Sequence, residues 1–368
     1  MRVLVVATTP QWDAGTRLMA SLAAGLSARG DVVAIACAPH SASEAAIERT
    51  WPRMSLRTVT GQGWFRQGMS LRAIVTALRP DALLVSGEAD AVLAAFAMGK
   101  RGGIVRRYTT DEREGMTLAD AHDALPWRAR YTLSRASITA WGASSLALGW
   151  PMADPPADTD GATSVHRLPV VAPHIVLVPA AMHDEVTANA LRAIAHVRSR
   201  HGALRISLLG EASALQATRL HAAALDLSGC VQVVPLDTLL HHAFRGPHPQ
   251  ASVAWIAAGG DAGALGTLAA MQQGMPVVVP QEAAYAELVT PGVTGFRVPA
   301  DSSVTVVAEV ARVLSDASAQ RAMGEAAAVR AARDYAWDRF VDTAATLLAQ
   351  AGGVAGTRVT RRPSLTPA

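Results

Sequence analysis

The chain has 368 residues, of which 50% are hydrophobic and 17% charged. That composition excludes an intrinsically disordered protein and leaves material for two domains with separate cores. Arginine carries nearly all the positive charge, with Lys100 the only lysine, and its scattered placement with no nucleic-acid motif excludes a nucleic-acid partner. The charge is uneven: residues 1–150 hold 17 Lys/Arg against 12 Asp/Glu, and residues 151–350 hold 13 against 18.

Short apolar runs alternate with helical patterns, which predicts a parallel sheet with crossover helices. Residues 2–8 read as a first strand, 17–29 as a helix with Leu18, Leu22 and Leu26 on one face, and 32–37 as a second strand. Strand 55–60, helix 70–78 and strand 82–86 follow, and further βα units run to about residue 150. Residues 151–167 are rich in Pro, Asp, Gly and Thr and read as a linker. A second series follows it: strand 174–178, helix 187–200, strand 204–209, helix 212–226 and strand 231–234. Strand 252–258, helix 264–273, strand 277–279, helix 303–315 and a helical region at 318–350 complete it. The tail, 352–368, lacks periodicity and reads as disordered and basic.

The predicted architecture is therefore α/β, with two Rossmann-like doubly wound domains facing across a cleft. The N-terminal domain covers 1–165, the C-terminal domain 166–335, and a helix at 336–351 crosses back to the first domain. Pro10 and Asp13 interrupt the apolar start too early for a signal peptide, and no segment reaches about 18 apolar residues, so the expected location is cytoplasmic. Cys37 and Cys230 are read as small hydrophobes within strands. Ligands of open parallel sheets bind outside the carboxyl ends of the strands, which here is the cleft.

The most informative segment is 259–276, GGDAGALGTLAAMQQGMP, directly after a buried strand. Gly259, Gly260 and Gly263 permit a tight turn and close approach of a ligand, and the helix expected from Ala264 and Leu265 offers N–H groups and a positive dipole end. That combination suits a diphosphate; a glycine-rich turn with no ligand is the alternative. No G-x-G-x-x-G follows the first strand, which argues against a nicotinamide cofactor.

The run LAAMQQGMPVVVPQEAAYAELVTPGVTGFRVP, within 261–299, resembles the signature region of the retaining GT-B glycosyltransferases, the family 4-like group with a Glu-x7-Glu motif. RAMG at 321–324 and YAW at 335–337 are similar to that group's usual ending, and Gly15-Thr16 in the first βα loop is a looser likeness. The resemblance implies a GT-B-like fold and a hexosyltransferase that moves a sugar from a nucleotide-sugar donor to an acceptor hydroxyl. It implies no resident cofactor and no metal, the nucleotide-sugar being a substrate, and an acceptor in cell-envelope polysaccharide or glycolipid synthesis. Carried onto this sequence, it assigns Gly15, Thr16, His183, Gly260, Asp261, Gly263, Ala264, Leu265 and Glu287 to donor binding, and Asp111 and Asp261 to catalysis.

Two departures accompany the resemblance. The second motif glutamate falls on Ala269, and no Lys or Arg lies between Arg167 and Arg192, where the group carries a basic pair; Glu185 stands there instead. Arg245 or Arg297 is the expected replacement if the chain is an active enzyme. A non-catalytic GT-B-like binding module or partner subunit is the other reading.

Of the remaining candidates, Asp111 and Glu112 follow strand-like 104–108, where one carboxylate would orient the acceptor hydroxyl. Glu282 is a weaker candidate than Glu287. His241, His242 and His248 are read as surface residues, since two are adjacent and no third ligand is evident. Trp64, Phe65, Arg66, Met69 and Arg72, with Trp127, Arg128 and Arg130, mix apolar and basic groups in a way that suits peripheral contact with an anionic membrane.

Overall fold

A computed structural model describes residues 1–99, 103–108, 129–132, 145–147, 174–179, 185–210, 212–235, 253–299 and 303–353. The first half runs β1 (Arg2–Ala7), α1 (Ala14–Ala28), β2 (Val32–Cys37), α2 (Ala42–Thr50), β3 (Ser55–Thr58) and α3 (Trp64–Leu78). It continues with β4 (Ala82–Ser86), α4 (Glu88–Met98), β5 (Ile104–Tyr108), β6 (Ala129–Thr132) and β7 (Ser145–Ala147). Its seven strands lie in the order β3-β2-β1-β4-β5-β6-β7, each pair parallel.

The second half begins with β8 (His174–Val178), α5 (Glu185–Arg200), β9 (Arg205–Gly210), α6 (Ala212–Ala224) and β10 (Val231–Pro235). β11 (Val253–Ile256), α7 (Gly260–Gln272), β12 (Val277–Pro280), a 3-10 turn at Ala284–Leu288 and β13 (Gly295–Val298) follow. Three helices end it: α8 (Ser303–Ser315), α9 (Ala317–Asp334) and α10 (Trp337–Gly352). Its six strands take the order β10-β9-β8-β11-β12-β13, again all parallel. The two sheets thus share one topology, with the strand order reversing beside β1 and beside β8. Helices on both faces explain why the strands read as unbroken apolar runs rather than alternating ones.

Each half has its own outer core, around Leu71, Leu83 and Leu93 in the first and around Leu191, Ile206 and Leu208 in the second. A further cluster runs through both halves and joins Leu18, Leu22 and Leu26 of α1 to Leu265 and Leu268 of α7 and to Phe340, Val341 and Leu348 of α10. α10 packs on the first half, where Gly25 of α1 leaves room for Val341 and Arg29 pairs with Asp342. Burying Phe340, Val341 and Leu348 contributes roughly 2 kcal/mol for each side chain, so α10 fastens the end of the chain to its beginning. Among the described residues, no helix is long and apolar enough to cross a membrane.

Several elements differ from their sequence expectation, each for a local reason. α1 starts at Ala14 rather than 17, because the Asp13 carboxylate accepts from the Thr16 N–H at 2.7 Å and caps it. α2 has no counterpart in the sequence reading, although Ser41 caps it: the Ser41 hydroxyl accepts from Glu44 N at 3.0 Å, and the Glu44 carboxylate reaches back to accept from His40 N at 2.6 Å. α3 starts at Trp64, six residues before expected, so its first turns carry exposed aromatics that break the apolar period. The region at 318–350 is two helices, parted at Tyr335 and the extended Ala336, where the chain passes from one half to the other. Cys37 lies in β2 as expected, whereas Cys230 closes a 3-10 turn, Ser228–Cys230, just before β10; both are free thiols.

Candidate active site between the two halves

The first turn of α1, the carboxyl end of β5 and the first turn of α7 come together where Gly15, Arg107 and Asp261 approach one another. α7 follows β11 through Ala257, Ala258 and Gly259, and it begins at Gly260, not near Ala264. Gly260 has φ +52, a left-handed conformation that costs glycine little. The helix N-terminus has no side-chain cap, and Asp261 is the acidic residue of its first turn. The N–H groups directed at the cleft are therefore those of the first turn, while Ala264 and Leu265 lie inside the helix, 0% and 5% exposed. This corrects the expectation that those two residues form the helix end.

Gly263 is required for packing. A Cβ there would lie 2.3 Å from the Ala258 carbonyl oxygen and 2.4 Å from the Tyr285 ring. Tyr285 is buried and its hydroxyl donates to the Ala258 carbonyl at 2.5 Å, so Gly263 lets α7 approach the turn that launches it. Ala269 is 1% exposed and belongs to the apolar cluster shared by the halves.

The opposite wall comes from the first half. Thr16 is buried and its N–H is taken by Asp13. Gly15 faces the second half directly: a Cβ there would lie 3.0 Å from Asp261 Oδ2, 3.4 Å from Arg107 Nη2 and 3.5 Å from Asp13 Oδ1. Arg107, at the carboxyl end of β5, donates through Nη2 to Asp261 Oδ2. This ion pair joins the two halves across the cleft. Its arginine side chain is 1% exposed and its aspartate 14%.

Sequence reasoning missed Arg107, although a signal was present. A parallel strand buried on both faces tolerates charge poorly, yet β5 reads Ile-Val-Arg-Arg-Tyr and buries both arginines. Strand alternation puts Arg107 on the face of Val105, which belongs to the cluster shared by the two halves.

The buried acid Asp90 was also missed. It lies in the first turn of α4, 4% exposed, and its carboxylate accepts from Thr8 N at 3.2 Å and from the Thr8 hydroxyl. Burial pushes its pKa up to about 6, against the opposing effect of the Thr8 hydrogen bonds. Asp90 thus ties the end of β1 to α4 at the cleft edge of the first sheet.

The remaining candidates are dispersed. Glu287 sits half-buried in the 3-10 turn that packs on α7, and its carbonyl accepts from Arg330 Nη2 at 3.0 Å. Glu282 is exposed. Arg297 lies in β13, its Nε held by the Val289 carbonyl at 2.8 Å. Glu185 opens α5 and is exposed. Asp111, Glu112, His183, Arg245 and the histidines 241, 242 and 248 lie outside the described residues. Among the described residues, no group of three or more His, Cys, Asp or Glu is placed to hold a metal ion.

Chemically, the described part of the cleft offers an uncapped helix end with positive partial charge, the Asp261 carboxylate, the buried Arg107 guanidinium and, beside Gly15, the Asp13 carboxylate that caps α1. An anionic group flanked by a hydroxyl-rich one matches that set.

Comparison with known proteins agrees in outline. Residues 168–330 match the family model of the group 1 glycosyl transferases. No curated protein sequence matches the chain. Among solved structures, sucrose-phosphate synthase from Thermosynechococcus elongatus is similar with a TM-score of 0.74 at 13% identity, over 96% of this chain and 100% of that one. A glycosyltransferase from Rickettsia africae gives 0.71 at 10% identity, over 96% and 99%. Anabaena HepE in complex with UDP-glucose gives 0.71 at 14% identity, over 94% and 99%.

The fold is GT-B. At these identities the structural likeness carries the architecture alone, and the family match falls on the half that contains α7.

Proposed function

We propose that the chain is a glycosyltransferase that moves a hexose from a nucleotide-sugar to an acceptor hydroxyl. One observation carries the reading: the uncapped N-terminus of α7, launched by Gly259 and Gly260, opens into the cleft beside Asp261 and opposite Gly15. A helix end of this kind stabilises the negative charge that grows on a departing diphosphate. We assign Asp261 to accepting from hydroxyls of the transferred sugar. Asp111 is assigned to orienting the acceptor hydroxyl and His183 to the donor side. The match of residues 168–330 supports glycosyl transfer, and the UDP-glucose bound by HepE makes UDP-sugars the first donors to try. Titration calorimetry of the purified chain against UDP-, GDP- and ADP-sugars tests the proposal. Binding to one of them, with slow release of free sugar, is expected. Binding to none would overturn it in favour of a non-catalytic partner subunit.

We assign the acceptor to a lipid-linked or polysaccharide species of the cell envelope, met at an anionic membrane surface. α3 exposes Trp64, Phe65 and Met69 by 62%, 57% and 47%, with Arg66 and Arg72 exposed on the same helix. Trp64 and Phe65 pack edge-on against Phe96 of α4, which leaves an exposed aromatic patch on the first half. Such a patch with flanking arginines suits a headgroup layer. Co-sedimentation with vesicles containing phosphatidylglycerol is expected for the native chain and not for a Trp64→Ser, Phe65→Ser variant; equal sedimentation of the two would remove the assignment.

A further inference from the structure

We propose that Arg107 is the cation that receives the donor's diphosphate, exchanging Asp261 for phosphate oxygens when the donor enters. The inference rests on the glycosyltransferase reading above and names the group that supplies its positive charge. A nucleoside diphosphate brings more than one negative charge to the N-terminus of α7. The helix dipole offers about half a positive charge there, and the Asp261 carboxylate in the first turn outweighs it. A cation has to offset both.

The second half does not place one there from its first βα unit, since residues 168–191 contain no Lys or Arg. Its Arg297 is held at β13 by the Val289 carbonyl, and its Arg330 binds Thr290, Glu287 and Tyr335 behind the 3-10 turn. Among the described residues, the guanidinium that reaches Asp261 belongs to Arg107, from the opposite half. Gly15 keeps this point open: a Cβ there would stand within 3.5 Å of Asp261, Arg107 and Asp13 together.

The arrangement explains why a 1%-exposed arginine persists in an apolar strand. A buried guanidinium without a counter-charge is strongly destabilising, and Asp261 supplies that charge while the cleft holds no donor. A diphosphate presents planar pairs of oxygens that a guanidinium engages through two parallel hydrogen bonds, a stronger match than one carboxylate oxygen. Donor binding then draws the β5 edge of the first half and the α7 end of the second onto one anion.

The test compares the affinities of uridine, UMP and UDP, with the guanosine and adenosine series alongside, for the native chain and for Arg107→Gln, Arg107→Lys and Asp261→Asn. Thermal unfolding confirms that each variant is folded. Arg107→Gln is expected to weaken the diphosphate by about 30-fold or more, as loss of a charged hydrogen-bond partner does, and to leave the nucleoside unchanged. Arg107→Lys should restore part of the loss. Asp261→Asn should tighten the diphosphate several-fold by removing its competitor, while lowering turnover. Should Arg107→Gln fail to fold, Asp261→Asn carries the test, and unchanged or weaker diphosphate binding overturns the inference. A folded Arg107→Gln that binds diphosphate like the native chain, or that loses nucleoside and diphosphate in equal proportion, also overturns it and leaves the glycosyltransferase reading standing. A native chain that binds no nucleotide at all overturns that reading first.

Discussion

The two halves share one strand order and differ in where they keep their charge. The first half buries ionisable groups at the carboxyl edge of its sheet: Asp90 beneath Thr8, and Arg106 and Arg107 within β5. The described residues of the second half present glycines and buried apolar side chains at the matching edge, with the acid Asp261 in the first turn of α7. The same topology therefore makes one wall that shapes a ligand site through backbone and another that charges it through side chains. Neither wall is a complete anion site, and the Arg107–Asp261 pair is where they meet.

The largest expected effect sharpens the backbone side of this contrast. Gly263→Ala puts a Cβ 2.3 Å from the Ala258 carbonyl oxygen and 2.4 Å from the Tyr285 ring, atoms held in a packed core. Overpacking of this kind costs about 3 kcal/mol or more, read as a lowered midpoint in urea.

The charged side is probed by Asp90→Asn. The folded-state pKa of Asp90 is raised from 3.8 to about 6 by burial. A raised acid binds its proton more tightly when folded, so the native chain loses stability as pH climbs from about 4 to 6, and the full loss is present above that window. The amide carries no charge and removes this slope. At pH 7.5 the variant is expected to gain about 2 kcal/mol, somewhat less than the shift itself implies, because the amide accepts more weakly from Thr8. Thermal melts at pH 4 and 7.5 check it; equal differences from the native chain at both pH values would contradict the assignment.

The smallest effect falls between the halves. Gly15→Ala meets Asp261 Oδ2 at 3.0 Å, a side-chain atom able to give way. The expected cost is under about 1 kcal/mol in stability, with a clear loss in diphosphate affinity. A stability loss matching that of Gly263→Ala would show that the cleft is packed as rigidly as the core of the second half.

Much of the fold was legible because its signals are local. Unbroken apolar strands spaced by helical patterns specify a parallel α/β sheet wherever they occur. The Gly259–Gly260 turn is legible because a glycine pair directly after a buried apolar strand marks a tight turn into a helix, with or without a ligand. The start of α7 was misplaced because that helix is buried nearly all round, so it has no apolar face for periodicity to reveal. Asp13 and Ser41 mark helix starts that a capping rule finds from sequence, and only the apolar period obscured them.

What the sequence determined by itself is the pair of doubly wound halves, the glycine turn and the lack of basic residues between 167 and 192. Only the tertiary structure decided which cation faces that turn. Arg107 and Asp261 lie 154 positions apart in two separate sheets. Local pattern records that a residue is buried or exposed, but a salt bridge depends on which strand ends the packing of α1, α7 and α10 brings together.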